Sequence, residues 1–446
     1  MKKLTVGLFN DSFPPTIDGV ASVTKNYAEI INRDLGTAVV AIPFFPGVID
    51  RYPFDVIRYP SAYLKKPMGY RAGYPFDPMV LNELEKKKID IIHSHCPVVS
   101  TVLARMLRML TGAPIVFTYH TKFNIDIEKL TASDSLRKIS LKFLINNINA
   151  CDEVWVVSQG AGENLRSIGY HGEYTVMENG TDFEKSRAET SRVSALRDEL
   201  SIPDGMTVFL FVGRMMWYKG IKLSLDGLKK AKMQGEKFKY ILVGDGEDRP
   251  DIERYIKEIG LSEDCIVTGA VHDRKLLQTY FTLADLFLFP SDFDTNGIVV
   301  REAAACSCPS LLLTGSCAAE GIVHEDTGIL IDAAPDAMCE QIIKACHDHD
   351  RLAQIGVNAS EKIYISWEDA VGKAYARYET VIENCKNKKR EDESVFTESL
   401  NSAVVQIVDA LSATKVQLHE LFHHRTDKKT DGTKRKAKLF RSRRDK

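Results

Sequence analysis

Four large apolar side chains in a row, Leu286, Phe287, Leu288 and Phe289, stop at Pro290 and give way to the polar turn SDFDTNG, after which IVVREAAA reads as the start of a helix. An apolar run this short, closed by a turn signal, is the mark of a strand buried on both faces. The same succession recurs from Leu4 to Phe9, Ile89 to Pro97, Ile115 to Thr121, in DEVWVVS ending at Ser158, and at Val208 to Gly213, Tyr240 to Gly244 and Cys265 to Val271. Buried strands alternating with helices predict an α/β chain. At 446 residues the chain exceeds the size at which one core usually divides, so about two domains are expected.

In doubly wound sheets, ligands sit at the carboxyl ends of the strands. The turn after Phe289 sets Asp294 and Glu302 around a loop-to-helix junction at Gly297. Free N–H groups and the positive end of the helix dipole at Asn296, Gly297 and Ile298 attract a diphosphate. Glu302 can accept two ribose hydroxyls, and Asp294 is free to hold a sugar hydroxyl. Taken alone, the segment reads equally as an ordinary strand–turn–helix with a solvated Asp and a structural Glu. Other motifs break the tie. VFLFVGRMMWYKG ends a strand at Gly213 and at once supplies Arg214 and Lys219, two cations able to neutralise a leaving diphosphate. YILVGDGE ends a strand at Gly244, where glycine admits close approach of backbone to a ligand.

In this order the motifs resemble the retaining glycosyltransferases of the GT-B fold, specifically the large family 4, over most of residues 1 to 385. The family signature is a Glu, seven residues and a second Glu, with Phe-Gly before the helix. Here the pair is Asp294 and Glu302 and the turn is Thr295-Asn296-Gly297, so the first acid is one methylene shorter. The resemblance implies two Rossmann-like α/β domains facing each other across a cleft: residues 1–185 on the acceptor side and 186–385 holding the nucleotide sugar. It further implies that Arg214 and Lys219 clamp the diphosphate, that Glu302 takes the ribose and Asp294 the hexose, and that Asn296, Gly297 and Ile298 donate from the backbone. Gly19 matches the second glycine of the family's acceptor-side loop, with Asp18 in place of the first, and His120 matches a histidine that contacts the donor sugar. Ser158, Asn179, Gly180 and Asp182 resemble strand-end turns at the hinge. His93, His95 and Cys96 are metal-ligand residue types without a second pair at zinc-like spacing, so a structural role is expected and no metal or other cofactor.

The implied reaction is retaining hexosyl transfer from a nucleoside diphosphate sugar, UDP-glucose being the first choice, to an acceptor hydroxyl. The basic and aromatic segments resemble those of glycolipid synthases acting on diacylglycerol or phosphatidylinositol. Two alternatives remain: transfer to a soluble sugar or polysaccharide precursor, and a degenerate sugar-nucleotide-binding scaffold, against which both cations and Glu302 argue.

Charge distribution bears on the partner. The net charge of −2 conceals a carboxyl end, from Arg425 on, with 11 Lys/Arg against 3 Asp/Glu. That tail is expected to be disordered and to favour an anionic membrane surface, with Leu439 and Phe440 able to insert; no nucleic-acid module accompanies it. A solubilising tail is the plainer reading. Before it, Leu400, Val404, Ile407, Leu411, Leu418 and Leu421 form a heptad seam over residues 386–424, open to self-association, docking on the core or lying on a membrane. SAYLKKPMGYRAGYPF and SLRKISLKFLINNI mix cations with aromatic or apolar residues and read either as membrane-facing segments or as packed elements with a solvated face. Nine irregularly spaced cysteines and the absence of a leader ahead of Lys2 and Lys3 predict a cytoplasmic protein, peripheral at most on the inner face of the plasma membrane.

Overall fold

The computed structural model describes residues 3–16, 18–63, 71–130 and 133–386. The heptad segment, the basic tail and residues Lys65, Lys66 and Tyr70 lie outside them. By contacts, residues 1–122 and 147–387 make one unit, and the helices of residues 123–146 belong to another.

The first unit carries two parallel sheets. In chain order, the strands of the first half are β1 (Thr5–Phe9), β2 (Thr37–Pro43), β3 (Asp55–Tyr59), a small hairpin of β4 (Ser61–Tyr63) and β5 (Arg71–Gly73), then β6 (Ile91–Ser94), β7 (Ile115–Tyr119), β8 (Glu153–Val156) and β9 (Thr175–Val176). Those of the second half are β10 (Thr207–Val212), β11 (Phe238–Val243), β12 (Cys265–Gly269), β13 (Leu286–Leu288), β14 (Ser310–Leu313) and β15 (Ile329–Ile331). The sheets run β3-β2-β1-β6-β7-β8-β9 and β12-β11-β10-β13-β14-β15. Both begin with the doubly wound order 3-2-1-4, whose reversal between the first and fourth strands opens a crevice at the strands' carboxyl ends. Most of the apolar runs that predicted the strands are buried, and β7, β10 and β13 expose no side chain, whereas β12, at the edge of its sheet, is half-buried from Cys265 to Thr268. A two-face cover of helices leaves no polar side to such a strand, which is why the runs are continuous and not alternating.

The helix Trp367–Lys386, within the range expected for the second domain, packs on the first. Trp367, Ala370, Val371, Ala374, Tyr375, Tyr378 and Val381 join the core of Leu4, Val6, Tyr27, Ala28 and Ile31. Tyr375 Oη accepts from Leu4 N at 2.6 Å, and Arg377 pairs with Glu153 at 2.9 Å. Among the described residues the chain crosses between halves twice, and the crossings lie side by side, with Thr181 N donating to Ile365 O at 3.0 Å.

Candidate active site

Sheet geometry gathers the cationic residues. Gly213 and Gly244 close the adjacent strands β10 and β11, and a Cβ on Gly244 would stand 1.8 Å from Gly213 O, so these turns accept only glycine where they meet. Arg214 follows, exposed, with no side-chain partner among the described residues. The chain then turns through Trp217–Lys219 onto Pro290, whose carbonyl oxygen lies 2.0 Å from where a Cβ on Gly220 would be. That contact delivers Lys219 to the turn after β13. Lys219 Nζ meets Asp294 Oδ1 at 2.7 Å and Oδ2 at 2.8 Å, and Ser291 Oγ donates to Oδ2 at 2.8 Å. The expected diphosphate cation and hexose acid are thus neutralised by each other.

Gly297 (φ 59°) starts the helix Ile298–Ala305 without a side-chain cap. The N–H groups of Gly297, Ile298 and Val299 have no acceptor among the described residues, as expected at a helix start that faces a ligand. The Asn296 side chain is committed to the protein: its Nδ2 donates to Val157 O at 2.5 Å and its Oδ1 accepts from Arg301 Nη1 at 3.2 Å. Arg301 Nη1 also donates to the Asn296 carbonyl oxygen at 3.2 Å, which leaves the backbone N–H for a ligand. Glu302 lies on the same helix and pairs with Arg274 at 2.8 Å; the Arg274 guanidinium in turn sits 4.2 Å from the Phe183 ring centroid. Burial raises the Glu302 carboxyl above its ordinary value, Arg274 pulls it back, and the Asp182 charge adds to the rise.

On the other half, Gly19 opens the helix Gly19–Ile30, with Asp18 as its cap, accepting from Ala21 N at 2.7 Å. A Cβ on Gly19 would meet nothing within 4 Å, so the fold leaves open space there. His120 follows β7; its carbonyl accepts from Thr295 Oγ1 at 2.8 Å, tying it to the Asp294 turn. His93 is structural: its Nδ1 bonds Tyr378 Oη and its Nε2 bonds Thr118 Oγ1, each at 2.6 Å. Cys306 and Cys308 are buried, and burial pushes the Cys306 thiol up to about 12.

Several participants carried no sequence signal. Arg274 stands 28 residues before its partner Glu302. Glu320 accepts from Gln159 N and Gly160 N at 2.6 Å each, capping a helix of the opposite half. Arg301 pairs with Glu178 at 2.5 Å. With Ser158 Oγ donating to Thr295 O at 2.5 Å, these contacts latch the halves along a narrow crevice lined by Ser158, Glu178, Asn296, Arg301 and Glu320. Arg214, Lys219 and Asp294 do not line that crevice.

Residues 17–185 match the model described as Glycosyltransferase Family 4, and residues 193–362 that of Glycosyl transferases group 1. The chain is 26% identical over 322 residues to the alpha-monoglucosyldiacylglycerol synthase of Acholeplasma laidlawii, covering 69% of this chain and 80% of that one. The enzyme of the same name from Streptococcus pneumoniae is 23% identical over 311 residues, covering 69% and 70%. The fold is shared with Anabaena HepE, solved in complex with UDP, at a TM-score of 0.67 and 18% identity over 84% of this chain and 99% of that one. Matched in both halves and built on the same two parallel sheets, the chain belongs to the GT-B glycosyltransferases of family 4, enzymes that use a nucleotide sugar.

Proposed function

We propose that this glycosyltransferase moves glucose from UDP-glucose, with retention, to the hydroxyl of a membrane lipid such as diacylglycerol. The observation that carries the reading is the set of Lys219, Arg214 and the open helix start at Gly297 along the ends of one sheet, because a departing diphosphate needs that positive potential. The set supplies the charge from the protein, so the reading requires no resident metal. Within it, Arg214 and Lys219 hold the diphosphate, Glu302 the ribose, and Asp294 and His120 the hexose. The acceptor O–H attacks the anomeric carbon on the face the diphosphate leaves. The C1–O bond to phosphate breaks as the new C1–O bond forms, and the hydroxyl proton passes to the departing phosphate oxygen.

The lipid acceptor is supported by the two synthases named above and by surface chemistry. Phe44, Tyr63 and Tyr74 are exposed around the β4–β5 hairpin, and the tail from Arg425 carries 11 cations. Among the described residues no helix is long and apolar enough to cross a membrane, so on this reading the enzyme works from the surface of an anionic bilayer. The test is a donor screen read by nucleotide release, with and without diacylglycerol in mixed micelles. UDP release from UDP-glucose that rises with diacylglycerol is the expected result. Release indifferent to lipid but stimulated by a soluble sugar removes the lipid acceptor, and no release with any donor removes catalysis.

A further inference from the structure

His95 and His120 leave neighbouring strand ends, since β6 and β7 pair in register from Ile92 with Ile115 to Ser94 with Phe117. His95 is 2% exposed and His120 7%. His95 Nδ1 lies 3.0 Å from His120 Nε2, with ring planes 27° apart and centroids at 5.2 Å. Rings so disposed meet edge to edge, which is the geometry of an N–H···N hydrogen bond. This is the one side-chain hydrogen bond His95 makes among the described residues. Its Nε2 is sealed from solvent without a partner, in a pocket shared with the rings of Tyr27 and His93. A buried polar atom left unpaired is costly, and an apolar side chain would fill the pocket without that cost. What the histidine contributes is therefore its bond to His120.

Both rings are neutral, because burial pushes the His95 pKa well down and that of His120 to about 3. Each then carries one ring proton, and two arrangements are open. If His120 donates to His95, the second nitrogen of His95 is an N–H buried without an acceptor. If His95 donates, that nitrogen is a bare lone pair, the less costly orphan. We propose that His95 is a positioning residue that donates from Nδ1 to His120 Nε2 and so holds His120 as its Nδ1-protonated tautomer, presenting an N–H to a hydroxyl oxygen of the donor sugar. The inference rests on the reading of His120 as a donor-sugar contact. His93 is excluded from this role, since Tyr378 and Thr118 occupy both of its nitrogens.

The experiment is ¹⁵N NMR of the full chain labelled at histidine, assigned with His95→Phe and His120→Gln, together with steady-state kinetics. The wild-type spectrum is expected to show His120 protonated at Nδ1 alone. His95→Phe should give a mixture of tautomers and lower kcat on the order of tenfold, the rate equivalent of one hydrogen bond, with UDP affinity unchanged. His95→Asn places an amide near the Nδ1 position and should restore most of the loss. His120 protonated at Nε2 in the wild type overturns the proposal even if His95→Phe fails to fold, and so does wild-type turnover by folded His95→Phe. His120→Gln with normal turnover removes instead the reading of His120 as a sugar contact, an outcome the wild-type spectrum does not affect.

Discussion

Asp294 holds Lys219 with both carboxylate oxygens and is itself steadied by Ser291, so on the proposed reading an arriving diphosphate must draw the cation away from an internal anion. On that reading, releasing the cation would free the carboxylate for a sugar hydroxyl and couple recognition of the two parts of the donor. Asp294→Asn keeps the shape and removes the competing charge. UDP, which lacks the sugar, should then bind more tightly by about 0.5–1 kcal/mol, while turnover with UDP-glucose falls by roughly two orders of magnitude. Calorimetry with UDP beside steady-state rates checks both, and unchanged UDP affinity would sink the counterion role. Glu302 poses a different balance. Its carboxyl is raised by burial and pulled back by Arg274. Arg274→Met removes the opposing charge, so the carboxyl rises further and Glu302 takes up its proton at a higher pH. Ribose binding by the ionised form should therefore fail at higher pH than in the wild type, and UDP affinity titrated from about pH 5 to 8 should show its acid limb shifted upward. Coincident limbs in the two proteins would place Glu302 away from the nucleotide.

Among the elements, the helix Trp367–Lys386 decides most about how the molecule holds together. It crosses from the second half to complete the core of the first, and Tyr378 from this helix stacks on Trp155 of β8 at 5.4 Å while its hydroxyl bonds His93. Replacing Tyr378 by Phe keeps the packing but strands His93 Nδ1 in the interior. A loss of about 1–3 kcal/mol in stability is expected, read by urea denaturation, with the slope unchanged. A loss below about 0.3 kcal/mol would mean that water reaches His93 and that this seam is loosely packed. The turn elements have a packing requirement of their own: Gly244 and Gly220 lie where a side chain would strike neighbouring backbone, so glycine there lets the strand ends and Lys219 come together.

For the whole molecule, polar contacts of Ser158, Asn296 and Glu320 latch the halves, in addition to the apolar seam made by the helix Trp367–Lys386. Glu320 sets a carboxylate against the start of the helix Gln159–Ser167, where the helix dipole favours negative charge. Glu320→Gln retains the shape, weakens that contact by about 0.3–1 kcal/mol and should increase the population of open molecules. Small-angle scattering should give a larger radius of gyration for the variant without ligand, and UDP should bring it back toward wild type if ligand binding favours closure. Identical scattering from both proteins without ligand would mean that other contacts set the closure.

The amino-acid sequence by itself determined the two-sheet α/β fold, because strands buried on both faces leave continuous apolar runs closed by Gly, Pro or polar turns. It also marked Arg214, Lys219, Asp294, Gly297 and Glu302 as candidates, because strand-end turns of such sheets stay local in the chain whatever they meet. Local patterning reports which side of an element is buried but not against what. Tertiary structure alone decided that Lys219 and Asp294, 75 residues apart, neutralise each other, and that Arg274 guards Glu302. It also decided that the final helix serves the first half and that a buried His95 touches His120. Each of these is a charge or a polar atom in need of a partner, and burial makes the partner obligatory while only the folded chain selects it.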